Sequence, residues 1–168
     1  AVLLLKCGIE KQIRLIVDWM RLGVVHGVMN TDNMTISCET IDYGPCAFMD
    51  SYHPKTVFSS IDLNGRYSYT NQPAIMHWNL LRFAEALLPL IHEKNESAIK
   101  VVKEIFDNFN QKLSEAWLNM MRKEIGLFGS EKEDGVLIGD LLNWMEKNRL
   151  DFTNTFVLLG KNHPTKNS

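Results

Sequence analysis

The sequence predicts one mainly helical domain with a single small β-hairpin. Three observations carry that reading. Apolar residues recur at three- and four-residue spacing through most of the chain. Two short β-like pieces, Met34–Ile36 and Thr40–Ile41, flank a turn at Ser37–Glu39. A chain of 168 residues with 45% hydrophobic content can bury one sizeable core, and its length calls for no second one.

Ala1-Val-Leu-Leu-Leu-Lys6 is too short to span a bilayer and lacks a basic start or a cleavage site, so it reads as part of an internal helix. From Glu10 to Leu22, Ile13, Ile16, Val17 and Met20 mark an amphipathic helix that Gly23 can stop. Gly27, Asn30, Asp32 and Asn33 then favour a loop, which leads into the hairpin. Residues 44–72 hold Pro45, Pro54 and Gly65 with no sustained period, a long irregular segment of the kind that is uncommon unless functional. Pro73 suits a first helical position, and Ile75, Trp78, Leu81, Leu88 and Ile91 carry an apolar face to about His92. Ser97 is a candidate N-cap for a longer helix whose stripe runs Val102, Ile105, Phe106, Phe109, Leu113, Trp117, Met120, Met121 and Ile125, ending near Gly126. After a polar turn at Gly129–Gly135, Leu137, Leu141, Leu142 and Met145 predict another helix, and Asp151–Phe156 opens a short last one. The domain thus covers residues 1–160, followed by a polar, frayed tail over 161–168.

The 18 basic and 20 acidic residues leave a formal charge of −2, too weak a field to recruit nucleic acid or an anionic membrane surface. Neither is expected as a partner. Cys7, Cys38 and Cys46 are an odd number in no metal-ligand spacing and read as reduced thiols. The chain begins without Met and already in an apolar run, which suggests a piece of a longer protein whose N-terminal part is absent.

The chemistry concentrates in two short motifs. His26-Gly-Val-Met-Asn-Thr-Asp-Asn33 places His seven residues before Asn, the separation in the protein-kinase loop H-R-D-x-x-x-x-N. Asp42-Tyr-Gly44 begins nine residues after Asn33 and has the shape of the kinase D-F-G. The intervening hairpin would bring the Asn33 amide and the Asp42 carboxylate to one end of a ribbon. Magnesium takes hard oxygen ligands, one or two from protein and the rest from phosphate and water, so Asn33 and Asp42 are candidate metal ligands. Asp32, beside Asn33, is the candidate proton acceptor. Taken singly, such an Asp-Asn pair is an ordinary Asx turn and a D-Y-G an ordinary bend. Their joint order and spacing is what points to phosphoryl or nucleotidyl transfer. His26 reads as a buried histidine that holds the loop by hydrogen bonds. Where a kinase keeps its catalytic Asp, this chain has Val28, which cannot accept a proton. The same mismatch separates it from small-molecule kinases with an H-G-D-x-x-x-x-N loop.

His26–Met34 followed by Ile41-Asp-Tyr-Gly-Pro45 closely resembles the selenoprotein O family of protein adenylyltransferases. Phe48-Met-Asp50, Gly65-Arg-Tyr67, Asn71-Gln-Pro73, Trp78-Asn-Leu80 and Asp151-Phe-Thr-Asn-Thr-Phe156 extend the likeness from about Ile13 to Leu159. The resemblance implies the C-terminal lobe of a protein-kinase-like, pseudokinase fold. It implies that ATP binds in a flipped orientation and that AMP passes to Ser, Thr or Tyr hydroxyls of protein substrates, with pyrophosphate leaving. Asp32 would be the proton acceptor, and Asn33 and Asp42 would hold Mg2+ or Mn2+, Asp42 thereby also meeting the nucleotide. The implied partners are ATP, protein substrates and an N-terminal lobe of the same protein bearing a Gly-rich phosphate loop, a nucleotide-binding Lys and arginines. No G-x-G-x-x-G occurs in this sequence, and Lys6 and Lys11 sit in helical contexts. The cysteine or selenocysteine that some members carry near the C-terminus is also missing, since the chain ends in Lys161–Ser168. The implied compartment is a bacterial cytoplasm, or a mitochondrion in a eukaryote. Two other readings stay open on the residues alone: a non-catalytic helical interaction domain, and a kinase-like enzyme that moves the γ-phosphate.

Overall fold

Residues 1–161 are described by a computed structural model, which has six α-helices and a two-stranded antiparallel ladder. The polar tail expected over 161–168 lies outside the described residues from position 162 onward. Helix α1 spans Val2–Leu22 and buries Leu5, Ile9, Ile13, Ile16, Val17 and Met20, positions that recur every three or four residues and so share one face. It stops at Gly23, whose φ of 69° is left-handed. A Cβ at Gly23 would lie 2.8 Å from Phe152 Cδ1, so the packing of the last helix also requires glycine there.

The strands are not where the hairpin was expected. Strand β1, Val24–Val25, pairs with β2, Ala47–Phe48, with Val24 opposite Phe48 and Val25 opposite Ala47. The expected hairpin is reduced to one bridge, Met34 to Thr40. Local side-chain chemistry explains the loss. Thr35 Oγ1 donates to Glu39 O at 3.2 Å and accepts from Glu39 N–H at 3.1 Å, which takes up groups a ladder would use. Cys38 is left-handed, with φ 64°, as a tight turn and not a strand demands.

Helix α2 spans Gln72–Ile91, with proline in its first turn as predicted. Its buried face differs from the predicted one. Ile75 belongs to it, but Trp78 is 41% exposed, and Gln72, Met76, Asn79, Leu80, Ala84 and Leu87 complete the face. The expected long helix from Ser97 is two: α3, Asn95–Phe106, and α4, Phe109–Glu124. Lys94, not Ser97, occupies the N-cap of α3. Asp107 and Asn108 break the stripe, being residues whose short polar side chains favour turns over helix interiors. The break lets Phe109 reach the core, where it stacks on His77 with ring centroids 4.4 Å apart. Helix α5, Asp134–Asn148, and α6, Phe152–Lys161, close the fold. Backbone bonds from Phe152 N–H to Asp50 O at 2.7 Å and from Tyr52 N–H to Leu150 O at 2.8 Å stitch the C-terminal part to the segment after β2.

Candidate functional site

Between β1 and β2 the chain carries both motifs, and the core places them against one another. His26 is 1% exposed and lies at the junction. Its Nε2 lies 2.7 Å from Ile41 O, the residue before Asp42. A carbonyl can only accept, so Nε2 carries the proton, and Nδ1 accepts from Val28 N–H at 3.4 Å. The ring stacks on Trp19, centroids 5.3 Å apart, and Trp19 Nε1–H donates to Thr40 Oγ1 at 3.0 Å. The job expected of His26, holding the loop, is what these bonds do.

Gly27 makes the second junction. Its φ is 90°, and a Cβ there would meet Pro45 Cγ at 2.8 Å and Pro45 O at 3.1 Å. Only glycine lets the loop and the D-Y-G-P segment approach so closely.

Asp32 and Asn33 sit on a one-turn 3-10 helix, Thr31–Asn33, closed by Asn33 N–H to Asn30 O at 3.0 Å. Asp32 is exposed. Asn33 is half-buried, and its Nδ2 donates to Val28 O at 3.0 Å, which leaves Oδ1 as the free end of the amide. Val28 itself packs against the core and serves the loop through its backbone alone. Asp42 is exposed and left-handed, with φ 55°, a conformation that Asp tolerates better than most residues. Its carboxylate folds over Gly44, where an added Cβ would lie 3.5 Å from Oδ1. The Met34–Thr40 bridge sets Asn33 one residue before it and Asp42 two residues after it. So Asn33 and Asp42 follow from opposite sides of one narrow turn, although the ribbon is shorter than predicted.

These two residues offer hard oxygen donors only. Among the described residues no three His, Cys, Asp or Glu side chains are grouped to hold a metal by themselves. Two protein oxygens fit an ion such as magnesium, whose shell phosphate and water complete.

Several residues that position this site were not singled out for that work by composition or period. Gln72 Oε1 accepts from His26 N–H at 3.0 Å, and its Nε2 donates to Val24 O at 2.9 Å. Asn79 Nδ2 donates to Met29 O at 2.9 Å. Tyr67 donates its hydroxyl proton to Asn30 Oδ1. Gln12 Nε2–H donates to Thr35 O at 3.2 Å. A usable signal existed: Gln12 and Trp19, like Gln72 and Asn79, are seven residues apart, two helical turns, and so share a face with buried apolar residues. Burial pushes the Cys38 and Cys46 thiols up, away from the reactive thiolate. It also raises Tyr52, with help from Glu146, to about 12, and raises Tyr69, whose hydroxyl donates to Met20 O at 2.6 Å.

Comparison with known proteins gives the chain's family. A family described as "Protein adenylyltransferase SelO" matches residues 3–168. A protein from Pelagibacter ubique named protein nucleotidyltransferase YdiU is 61% identical over 98% of this chain and 34% of its own length. Proteins of the same name from Nitrosococcus oceani and Brevibacillus brevis are 57% and 56% identical, over 95% and 96% of this chain and 32% and 33% of their own lengths. The chain therefore spans about a third of the length of these curated relatives. With a match over nearly every residue, including both motifs that His26 and Gly27 pack together, this chain belongs to the SelO family.

Proposed function

We propose that the chain is the metal- and acceptor-handling part of a protein adenylyltransferase, which moves AMP from ATP to Ser, Thr or Tyr hydroxyls. One observation carries this reading beyond family membership: His26 and Gly27 join the loop bearing Asp32 and Asn33 to the segment bearing Asp42. A mere pair of surface turns needs neither a buried histidine bonded across to Ile41 nor a left-handed glycine against Pro45.

In the proposed reaction, Asp32, exposed on its 3-10 turn, accepts the proton of the attacking hydroxyl. The hydroxyl oxygen bonds to the α-phosphorus, the bond from that phosphorus to the bridging oxygen breaks, and pyrophosphate leaves. Asn33 Oδ1 and the Asp42 carboxylate would hold a magnesium ion, or manganese in its place. An ion held there would offset charge on the phosphates and on the departing pyrophosphate. What the chain adds is orientation: the Val28 carbonyl fixes the Asn33 amide, and Thr35 closes the turn that lies between Asn33 and Asp42. Positioning of this kind is worth several powers of ten in rate when the reacting groups are held in line.

The same reading makes residues 1–160 the C-terminal lobe of a kinase-like fold. ATP grip would come from an N-terminal lobe, and the compartment would be a bacterial cytoplasm or a mitochondrion. Among the described residues no helix is long and apolar enough to cross a membrane. The test uses the full-length protein with magnesium and ATP labelled on either the α- or the γ-phosphate. Label from the α-position alone is expected on protein, and Asp32→Ala and Asp42→Ala should each reduce it by about a hundredfold or more. Transfer of γ-label, or full activity in both variants, would overturn the proposal.

A further inference from the structure

We propose that Asn79 of helix α2 is a positioning residue for the short turn that carries Asp32 and Asn33. The inference rests on the catalytic reading above for its consequence, but its geometric part stands alone. Asn79 is 4% exposed. Its Nδ2 donates to Met29 O at 2.9 Å and lies 2.7 Å from Met34 Sδ. Met29 directly precedes residues 30–33, so this side-chain nitrogen ties down the backbone where the segment that presents the proposed proton acceptor and metal ligand begins, and it touches the Met34 side chain at the other end.

Two further observations set Asn79 apart from a packing residue. Its Oδ1 is buried and has no hydrogen-bond partner among the described residues. A buried acceptor left unpaired costs stability, and a residue kept for packing alone would be better served by leucine. The Nδ2 end faces Met29 O, so turning the amide over would set oxygen against oxygen and is no remedy. In addition, Asn79 lines a cavity of about 440 Å³ with Thr31, Met34, Trp78 and Phe83. The turn is therefore not backed by close packing on this side, and a polar tie has to supply the restraint that side-chain contacts usually provide.

The helix explains why Asn79 can do this. Gln72 holds Val24 and His26 at the start of the loop, and Asn79, two turns further along the same face, holds it at Met29. Loop and helix thus meet at two polar rungs set by the helical repeat.

The experiment compares Asn79→Leu with wild type in the full-length protein. Leucine keeps the branching at Cγ, adds bulk that the adjoining cavity can take, and removes the donor and the orphan acceptor together. Hydrogen exchange is followed at the Asn33 backbone amide, which donates to Asn30 O, beside thermal melting and AMP transfer at varied magnesium and ATP. The expected result is a folded protein in which the Asn33 amide exchanges about tenfold faster. In it kcat should fall by about tenfold or more, with magnesium half-saturation raised and KM for ATP little changed. A folded variant with wild-type exchange at Asn33 and unchanged kcat would overturn the proposal. So would a loss that merely tracks the melting temperature across all amides. If Asn79→Leu fails to fold, Asn79→Asp keeps the shape while the ionised carboxylate can no longer donate to Met29 O, and the same readouts apply. Absence of AMP transfer in the wild-type protein would sink the catalytic reading, while the Asn33 exchange comparison would still decide the role of Asn79.

Discussion

Gly27 shows how a single missing side chain can determine where two sequence motifs meet. Its left-handed φ of 90° and its approach to Pro45 both exclude a Cβ. Gly27→Ala is expected to cost about 1–3 kcal/mol of stability, from backbone strain and from the displacement of Pro45. A urea titration would reveal it as a lower midpoint with an unchanged slope. An unchanged midpoint would mean that the loop relaxes without penalty. At this scale much was legible: the order of His26, Asp32, Asn33 and Asp42 along the chain already named the candidates. Their restraints were not legible, because Gln72, Asn79 and Tyr67 are polar residues that no motif for metal or proton chemistry requires. The family resemblance did pass through them, in Gly65–Tyr67, Asn71–Pro73 and Trp78–Leu80, without saying what they did.

Helices supply these restraints in pairs. Gln12 and Trp19 of α1 reach Thr35 and Thr40, while Gln72 and Asn79 of α2 reach residues 24, 26 and 29. Two helices thus grip the segment from opposite ends, each with polar rungs seven residues apart. Away from the site, α4 and α5 are joined by Arg122 Nε–H donating to Asp134 Oδ2 at 2.6 Å. The Asp134 carboxylate also accepts Glu131 N–H at 2.9 Å, and these two bonds, the backbone one foremost, hold it below the usual carboxylate range. A depressed folded-state pKa adds stability above the unfolded value of 3.8, and that stability is lost as pH falls through the lower folded value. Melting followed from pH 7 to 2 should therefore show a decline below about pH 4 that is shallower in Asp134→Asn. Identical profiles would show that Asp134 contributes nothing to acid sensitivity. Elements were predicted well where the apolar period was long, as in α1. They failed at Asp107–Asn108, where two turn-forming residues interrupt a stripe that otherwise continues in register. They failed also at the hairpin, where Thr35 outcompetes the ladder.

For the whole molecule, the chain spans about a third of its relatives' length, and the sequence contains no glycine-rich phosphate loop. The 168 residues alone, given magnesium and ATP labelled on the α-phosphate, are expected to label neither themselves nor added protein. Strong labelling would show that this part grips ATP without help.

What the sequence determined unaided was the set of candidate groups and their order: a base candidate, two candidate oxygen ligands, and a helical chain around them. Spacing along the backbone is a local property, and motif and period read it directly. Only the tertiary structure decided how the groups are held. The bonds that hold the loop join residues 46, 48 and 50 positions apart, and such pairings arise when helix α2 buries its mixed polar and apolar face beside β1. Nothing in a stretch of neighbouring residues specifies them, because their energy comes from excluding water around partners that the chain brings together only on folding.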